Sequence, residues 1–194
     1  MKILLFALTV FSIVQLNAQI DQDHLQIGEK APEIQSRDQN GMTIDSKAIL
    51  KENRILLVFY RGNWCPHCAK HLAELEKNLI ALQEKGVFVL VVSPETVEKT
   101  KETQDKFGVT YSIVHDENNK IMNEYKVAFD VNPQNVTNYY DKVYELVNEY
   151  NGPDNAVLPV PATYLIGKDG LIEYVQYDPD YKKRSDISEL LESL

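Results

Sequence analysis

The chain has 194 residues, 44% of them hydrophobic, which is enough for one globular domain with an ordinary buried core. Its formal charge of -9 argues against a nucleic-acid binder, since phosphate binding relies on clustered Lys and Arg. The short basic run Lys182-Lys183-Arg184 is isolated and reads as a solvated loop or helix start.

The chain opens Met1-Lys2, continues with an apolar run from Ile3 to Leu16, and then reads Asn17-Ala18-Gln19. A positive start, an apolar stretch too short to span a bilayer comfortably and a small residue at the cut are the order of a secretory signal. Residues 1–18 are therefore expected to be a signal peptide, with cleavage after Ala18 and a mature domain over 19–194. A retained anchor is the competing reading, and no Cys follows the run to take a lipid. Export, to a periplasm or beyond the cell, places the two cysteines where disulfides persist. A bridge across two intervening residues closes a very small loop and constrains the unfolded chain little, so its value lies in reversibility.

Asp21 to Ser46 is polar and turn-rich, an irregular or hairpin lead-in with a turn at Asn40-Gly41. Arg54 to Tyr60 has the continuous apolar character of a strand covered on both faces. Pro66 to Lys85 places Ala69, Leu72, Leu75, Leu79 and Leu82 at helical spacing, with Gly86 as the stop. Val87 to Val92 predicts a second buried strand, and Ser93-Pro94-Glu95 opens a charged helix to Phe107. A short strand at Ser112 to Val114, a turn at Asp116 to Asn119 and a brief helix at Ile121 to Tyr125 follow. Strand and helix alternate as in parallel α/β units. An inserted helix is predicted from Asn132-Pro133 to Tyr150, on Val136, Tyr140, Val143, Tyr144 and Val147. Ala162 to Ile166 and Leu171 to Val175 form a hairpin about Gly167-Lys168-Asp169-Gly170, and Ser185 to Leu194 is a last helix.

The segment Trp64-Cys65-Pro66-His67-Cys68 joins the first strand to the first long helix. Cys65 thus falls at a helix N-terminus, where unpaired backbone N–H groups and the helix dipole favour an anion. Such sites lower a cysteine pKa from about 8.5 into the range of about 3.5–7.5. Cys68, one turn deeper, can resolve a mixed disulfide, which makes thiol–disulfide exchange the implied chemistry. A protonated His67 would add positive charge beside the thiolate. His71 reads as a surface residue, and His24 and His115 are assigned nothing. A structural zinc site needs four ligands and no second pair exists, so neither metal nor cofactor is expected.

With these residues in view, the chain resembles the thioredoxin superfamily, and more closely its AhpC/TSA, peroxiredoxin-like branch. The resemblance rests on Gly28-Glu29-Lys30-Ala31-Pro32, on Phe59-Tyr60-Arg61-Gly62-Asn63-Trp64-Cys65-Pro66-His67-Cys68, and on Val160-Pro161-Ala162-Thr163-Tyr164. It implies a three-layer α/β fold, a central mixed β-sheet flanked by helices, with the helical insertion ahead of a cis-proline strand. Pro161 matches the cis proline that faces the Cys-X-X-Cys. Peroxiredoxins share Pro-x-x-x-Thr-x-x-Cys, and here Val58 and Gly62 stand at the Pro and Thr positions. They also carry Arg where this chain has Pro161, with Arg61 the nearest substitute in sequence. The buried acid that thioredoxins bear six residues before the first Cys is replaced by Phe59, leaving the base for Cys68 unidentified.

The first reading is thus an exported thiol–disulfide oxidoreductase with Cys65 and Cys68 as catalytic pair. Trp64, Pro66, His67, Arg61 and Pro161 shape its site, and its partners are protein thiols or disulfides and an electron donor or acceptor protein. The second is a peroxidase in which Cys65 is oxidised to a sulfenic acid and Cys68 closes the disulfide. The third, of another class, is a binding module docking through Tyr139, Tyr140, Tyr144 and Tyr150, although aromatics at helical spacing are more often core.

Overall fold

The computed structural model describes residues 24–131 and 138–194. The expected signal peptide and the first residues of the inserted helix lie outside that range.

The lead-in is a hairpin. Strands β1 (Gln35–Arg37) and β2 (Thr43–Asp45) pair antiparallel, and Gly41 at φ 78° closes the turn expected at Asn40-Gly41. Asp45 then caps a short helix α1 (Ser46–Leu50), its carboxylate accepting from the Ala48 N–H at 3.2 Å.

Strand β3 (Arg54–Phe59) is the centre of the molecule, buried from Ile55 onward. It pairs in parallel with β4 (Val87–Ser93), which pairs in parallel with β5 (Ser112–His115). On its other side β3 pairs antiparallel with β8 (Ala162–Ile166), which continues antiparallel to β9 (Ile172–Tyr177). The five-stranded sheet runs β5-β4-β3-β8-β9 and is mixed, as expected.

Both faces of β3 are covered because alternate side chains enter different cores. Leu56 and Val58 join Leu72, Leu75, Leu79 and Leu82 of helix α2 (Pro66–Glu84), together with Ile187 and Leu190 of α6 (Ile187–Ser193). Ile55, Leu57 and Phe59 join Ile34, Ile44 and residues Ile121 and Met122 of α4 (Lys120–Glu124). The result is the helix–sheet–helix layering that the continuous apolar run of β3 predicted. Lys85 and Gly86, the latter at φ 70°, end α2 where the glycine stop was read.

Two elements differ from the expectation. Helix α3 (Val97–Phe107) begins four residues later than predicted, capped by the Thr96 hydroxyl, so Ser93-Pro94-Glu95 is a buried turn leaving β4. Short strands β6 (Ala128–Asp130) and β7 (Val157–Pro159) form a two-stranded ladder, too brief to show a period in sequence. Helix α5 (Asn138–Asn151) covers this ladder through Val143 and Val147, against Val131 and Leu158.

The cis bond expected at Pro161 is not found, since no cis peptide occurs among the described residues. Trans is the lower-energy form even before proline, and the Val160 N–H is held by the Val127 carbonyl at 2.7 Å as the chain runs extended from β7 to β8.

Candidate redox site

β3 carries the chain to the carboxyl end of the sheet, where Tyr60 and Asn63 are buried and Arg61 and Trp64 are half-exposed. Gly62 stands at φ 152°, and a Cβ there would lie 2.2 Å from Trp64 Nε1. The indole occupies the space that any larger residue would need.

Cys65 is the N-cap of α2, extended at φ -89° and ψ 114°, and Pro66 takes the first helical position. Both cysteines are free thiols, 2% and 1% exposed. A hydrogen bond from the Cys68 thiol pulls Cys65 down to about 6 against the desolvation of its site, helped by the Cys68 backbone N–H and by the charges of Arg61 and Arg184. Giving that bond, together with burial, pushes Cys68 well up. One sulfur is therefore the anion and the other its proton-bearing neighbour.

The charges at the pair come from two distant parts of the chain, Arg61 just before the cysteines and Arg184 near the end. Arg184 Nη2 donates to Cys68 Sγ at 3.5 Å, so the basic run read as an isolated solvated loop delivers its last residue into the site, while Lys183 pairs with Asp178 at 2.9 Å. The Arg61 guanidinium lies between two rings, 5.1 Å from the Trp64 centroid and 4.8 Å from that of Tyr181. His67 is exposed and meets Tyr181 edge-on at 5.7 Å. Ala162 pairs with Phe59, which sets the buried Pro161 at the same end of the sheet, beside the chain leaving β3.

A buried acid is present, but on β4's exit rather than on β3. Glu95 accepts from Tyr60 Oη at 2.5 Å, from the Asn63 N–H at 2.8 Å and from Thr103 Oγ1 at 3.3 Å. Burial drives its carboxyl up to about 7 in spite of these donors, and a charged Cys68 adds to the rise. His115, assigned nothing from sequence, sets Nδ1 2.6 Å from the Glu95 carbonyl. The Glu95 carboxyl group thus holds the loop that leads to the cysteines.

His71 is 4% exposed, not a surface residue, because α2 turns it toward Ser185 at 3.4 Å. Burial lowers its pKa to about 4. Tyr144 is half-buried against the Val143–Val147 cluster and Tyr150 sits under Lys99 at 4.8 Å, so both are engaged within the fold. Tyr139 and Tyr140 side chains lie outside the described residues. Among those residues no three His, Cys, Asp or Glu side chains gather to hold a metal.

Sequence reasoning missed Glu95, Arg184 and Tyr181. An acid directly after a buried strand was a signal for the first, whereas a separation of 116 positions hid the contact of Arg184 with Cys68.

Residues 27–175 match the AhpC/TSA family. The chain belongs to that family. Its relatives include proteins named peroxiredoxin and proteins named thiol-disulfide oxidoreductase. Peroxiredoxin Q of Oryza sativa subsp. japonica is 23% identical over 167 residues, 86% of this chain and 65% of the relative, so the match spans just under two thirds of that protein's length. Thiol-disulfide oxidoreductase ResA of Bacillus thuringiensis is 26% identical over 153 residues, 78% of this chain and 70% of the relative. The structure of a Xylella fastidiosa PrxQ mutant superposes with a TM-score of 0.67 at 17% identity, covering 88% of this chain and 95% of that one, a likeness of fold.

Proposed function

We propose that the protein is an exported thiol–disulfide oxidoreductase in which Cys65 attacks and Cys68 resolves. The Cys65 thiolate attacks one sulfur of a substrate disulfide, forming a mixed disulfide and releasing the first substrate thiolate, which takes a proton from water. Cys68 then gives up its proton to water and attacks Cys65 sulfur; the Cys65–Cys68 bond forms, the Cys65–substrate bond breaks, and the second substrate thiolate leaves and takes up a proton. The substrate gains two electrons and the protein loses two, and the reverse sequence oxidises a dithiol. A partner protein with its own dithiol returns the pair to its starting state.

The observation that carries this reading is the division of labour between the sulfurs, Cys65 brought to about 6 by a hydrogen bond from a Cys68 pushed well up. Against the peroxidase reading stands Gly62, where the Trp64 ring leaves no room for the threonine that peroxiredoxins carry. Both sulfurs are covered in the reduced state, so a substrate must displace neighbouring side chains, Arg184 on Cys68 among them, to reach them. Export is supported by the order of charge, apolar run and small residue at the N-terminus.

Stopped-flow mixing of the reduced protein with a peptide disulfide and, separately, with hydrogen peroxide tests the assignment. Rapid closure of the Cys65–Cys68 bond by the disulfide, with peroxide consumed no faster than by a free thiolate, is expected. Fast peroxide reduction with sluggish exchange would transfer the protein to the peroxidases.

A further inference from the structure

Next to the dithiol lies a cleft of about 590 Å³, within the range of sites that take small molecules or peptide side chains. One wall is α2 beyond His67 and the other is the segment around Lys182 to Asp186. Its cations are Lys70, Lys77, Lys182 and Arg184; its carboxylates are Glu74 and Asp186. Lys70 and Lys77 are seven residues apart on α2, two turns on one face.

None of these four cations is in an ion pair with a carboxylate among the described residues; the lysines that are paired lie elsewhere. The Arg184 Nε is buried with no hydrogen-bond partner, while its Nη2 reaches Cys68 Sγ at 3.5 Å. A protein of charge -9 thus gathers four cations against two carboxylates in one cleft, and one of those cations touches the resolving sulfur. Low-dielectric walls focus such a field on an incoming anion. His71, buried in the wall, presents a neutral ring, so the sign is set by the four cations, which outnumber Glu74 and Asp186.

We propose that the cleft between α2 and the 182–186 segment is a docking subsite for the carboxylates of a peptide disulfide, which it holds beside the Cys65–Cys68 pair. The inference rests on the exchange reading above and names its substrate class. Two sources share this chemistry: a small tripeptide disulfide with free carboxylates, and an acidic stretch flanking a half-cystine in a longer chain.

The test compares exchange rates of the reduced protein with three peptide disulfides alike except for Asp, Ser or Lys at the flanking positions. The acidic peptide is expected to react at least tenfold faster than the neutral one at low salt. The advantage should shrink in high salt and in Lys70→Gln/Lys77→Gln, whose exposed side chains can be changed without touching the core. Lys51→Gln/Lys101→Gln, matched in charge and outside the cleft, should keep it. Equal rates for the three peptides, or an advantage that Lys70→Gln/Lys77→Gln leaves intact, overturns the subsite. Glutathione disulfide against its ethyl ester separates the sources. A tenfold preference for the free acid assigns the cleft to small disulfides, and a preference confined to the longer peptide assigns it to protein chains.

Should the protein reduce none of the peptides, the exchange reading fails by itself. The subsite is then judged by titrating a cysteine-free acidic peptide and following the NMR signals of His67, Glu74 and Ser185, which line the cleft. Saturable shifts abolished by Lys70→Gln/Lys77→Gln support it, and their absence overturns it.

Discussion

Arg184 sets a guanidinium nitrogen 3.5 Å from the sulfur of Cys68, across 116 residues of chain. The same charge helps to draw down Cys65, so a residue near the C-terminus tunes a thiol near the middle. Replacing it by Met should raise the Cys65 pKa by up to about one unit, less than a fully buried pair because the side chain is half-exposed. Thiolate absorbance at ultraviolet wavelengths against pH measures the shift, and an unchanged midpoint would remove Arg184 from the account.

Alkylation should discriminate the two thiols. Reaction with iodoacetamide is expected to rise with pH to a midpoint near 6 and then level, labelling Cys65 alone. In Cys68→Ala the donor is gone, and the midpoint should climb by about one to two units. Mass spectrometry of the labelled peptide identifies the site; preferential labelling of Cys68 in the wild type would reverse the assigned roles.

Glu95 gives a stability slope of known sign. Its carboxyl stays protonated in the fold up to about pH 7, while in the unfolded chain it ionises near 4.5. Between those values the unfolded state has lost the proton and the native state has not, so stability falls as pH rises, by as much as roughly 3 kcal/mol. The contribution is full below pH 4.5 and lost above 7. Urea titrations of wild type and Glu95→Gln across this window should diverge by that slope, and parallel curves would show that the carboxyl does not titrate so.

Gly62→Thr tests the fit of the loop. Its Cβ would strike the Trp64 ring at a backbone φ of 152°, which side chains rarely adopt. A loss of about 1–3 kcal/mol in unfolding free energy is expected, with a shifted Trp64 fluorescence spectrum. A variant of native stability and spectrum would mean that the indole moves freely.

Tyr181 should guard the pair. Its ring stacks on Arg61 at 4.8 Å and meets His67 at 5.7 Å. Tyr181→Ala is expected to speed Cys65 alkylation severalfold at a pH above its midpoint, where ionisation no longer limits the rate. An unchanged rate would place the cover elsewhere.

Much of this molecule was legible before any coordinates. The unbroken apolar run of β3 and the Leu72–Leu82 spacing of α2 are local periodicities, so their type and mutual packing follow from which atoms avoid water. The junction between them fixes Cys65 at a helix N-terminus, with Cys68 one turn on. The brief strands β6 and β7 lack the length to show a period, and Glu95 was assigned to a helix because Ser-Pro-Glu is also a common helix opening.

By itself the sequence determined the sheet-and-helix alternation and the reactive pair, because both depend on neighbours within a few residues. Only the tertiary structure decided which charges reach that pair, that Glu95 rather than Phe59 supplies the buried acid, that His71 faces inward, and that the bond before Pro161 is trans. Those outcomes turn on distances between segments far apart in the chain. Electrostatic energies depend on such separations and on burial, neither of which any local pattern of residues encodes.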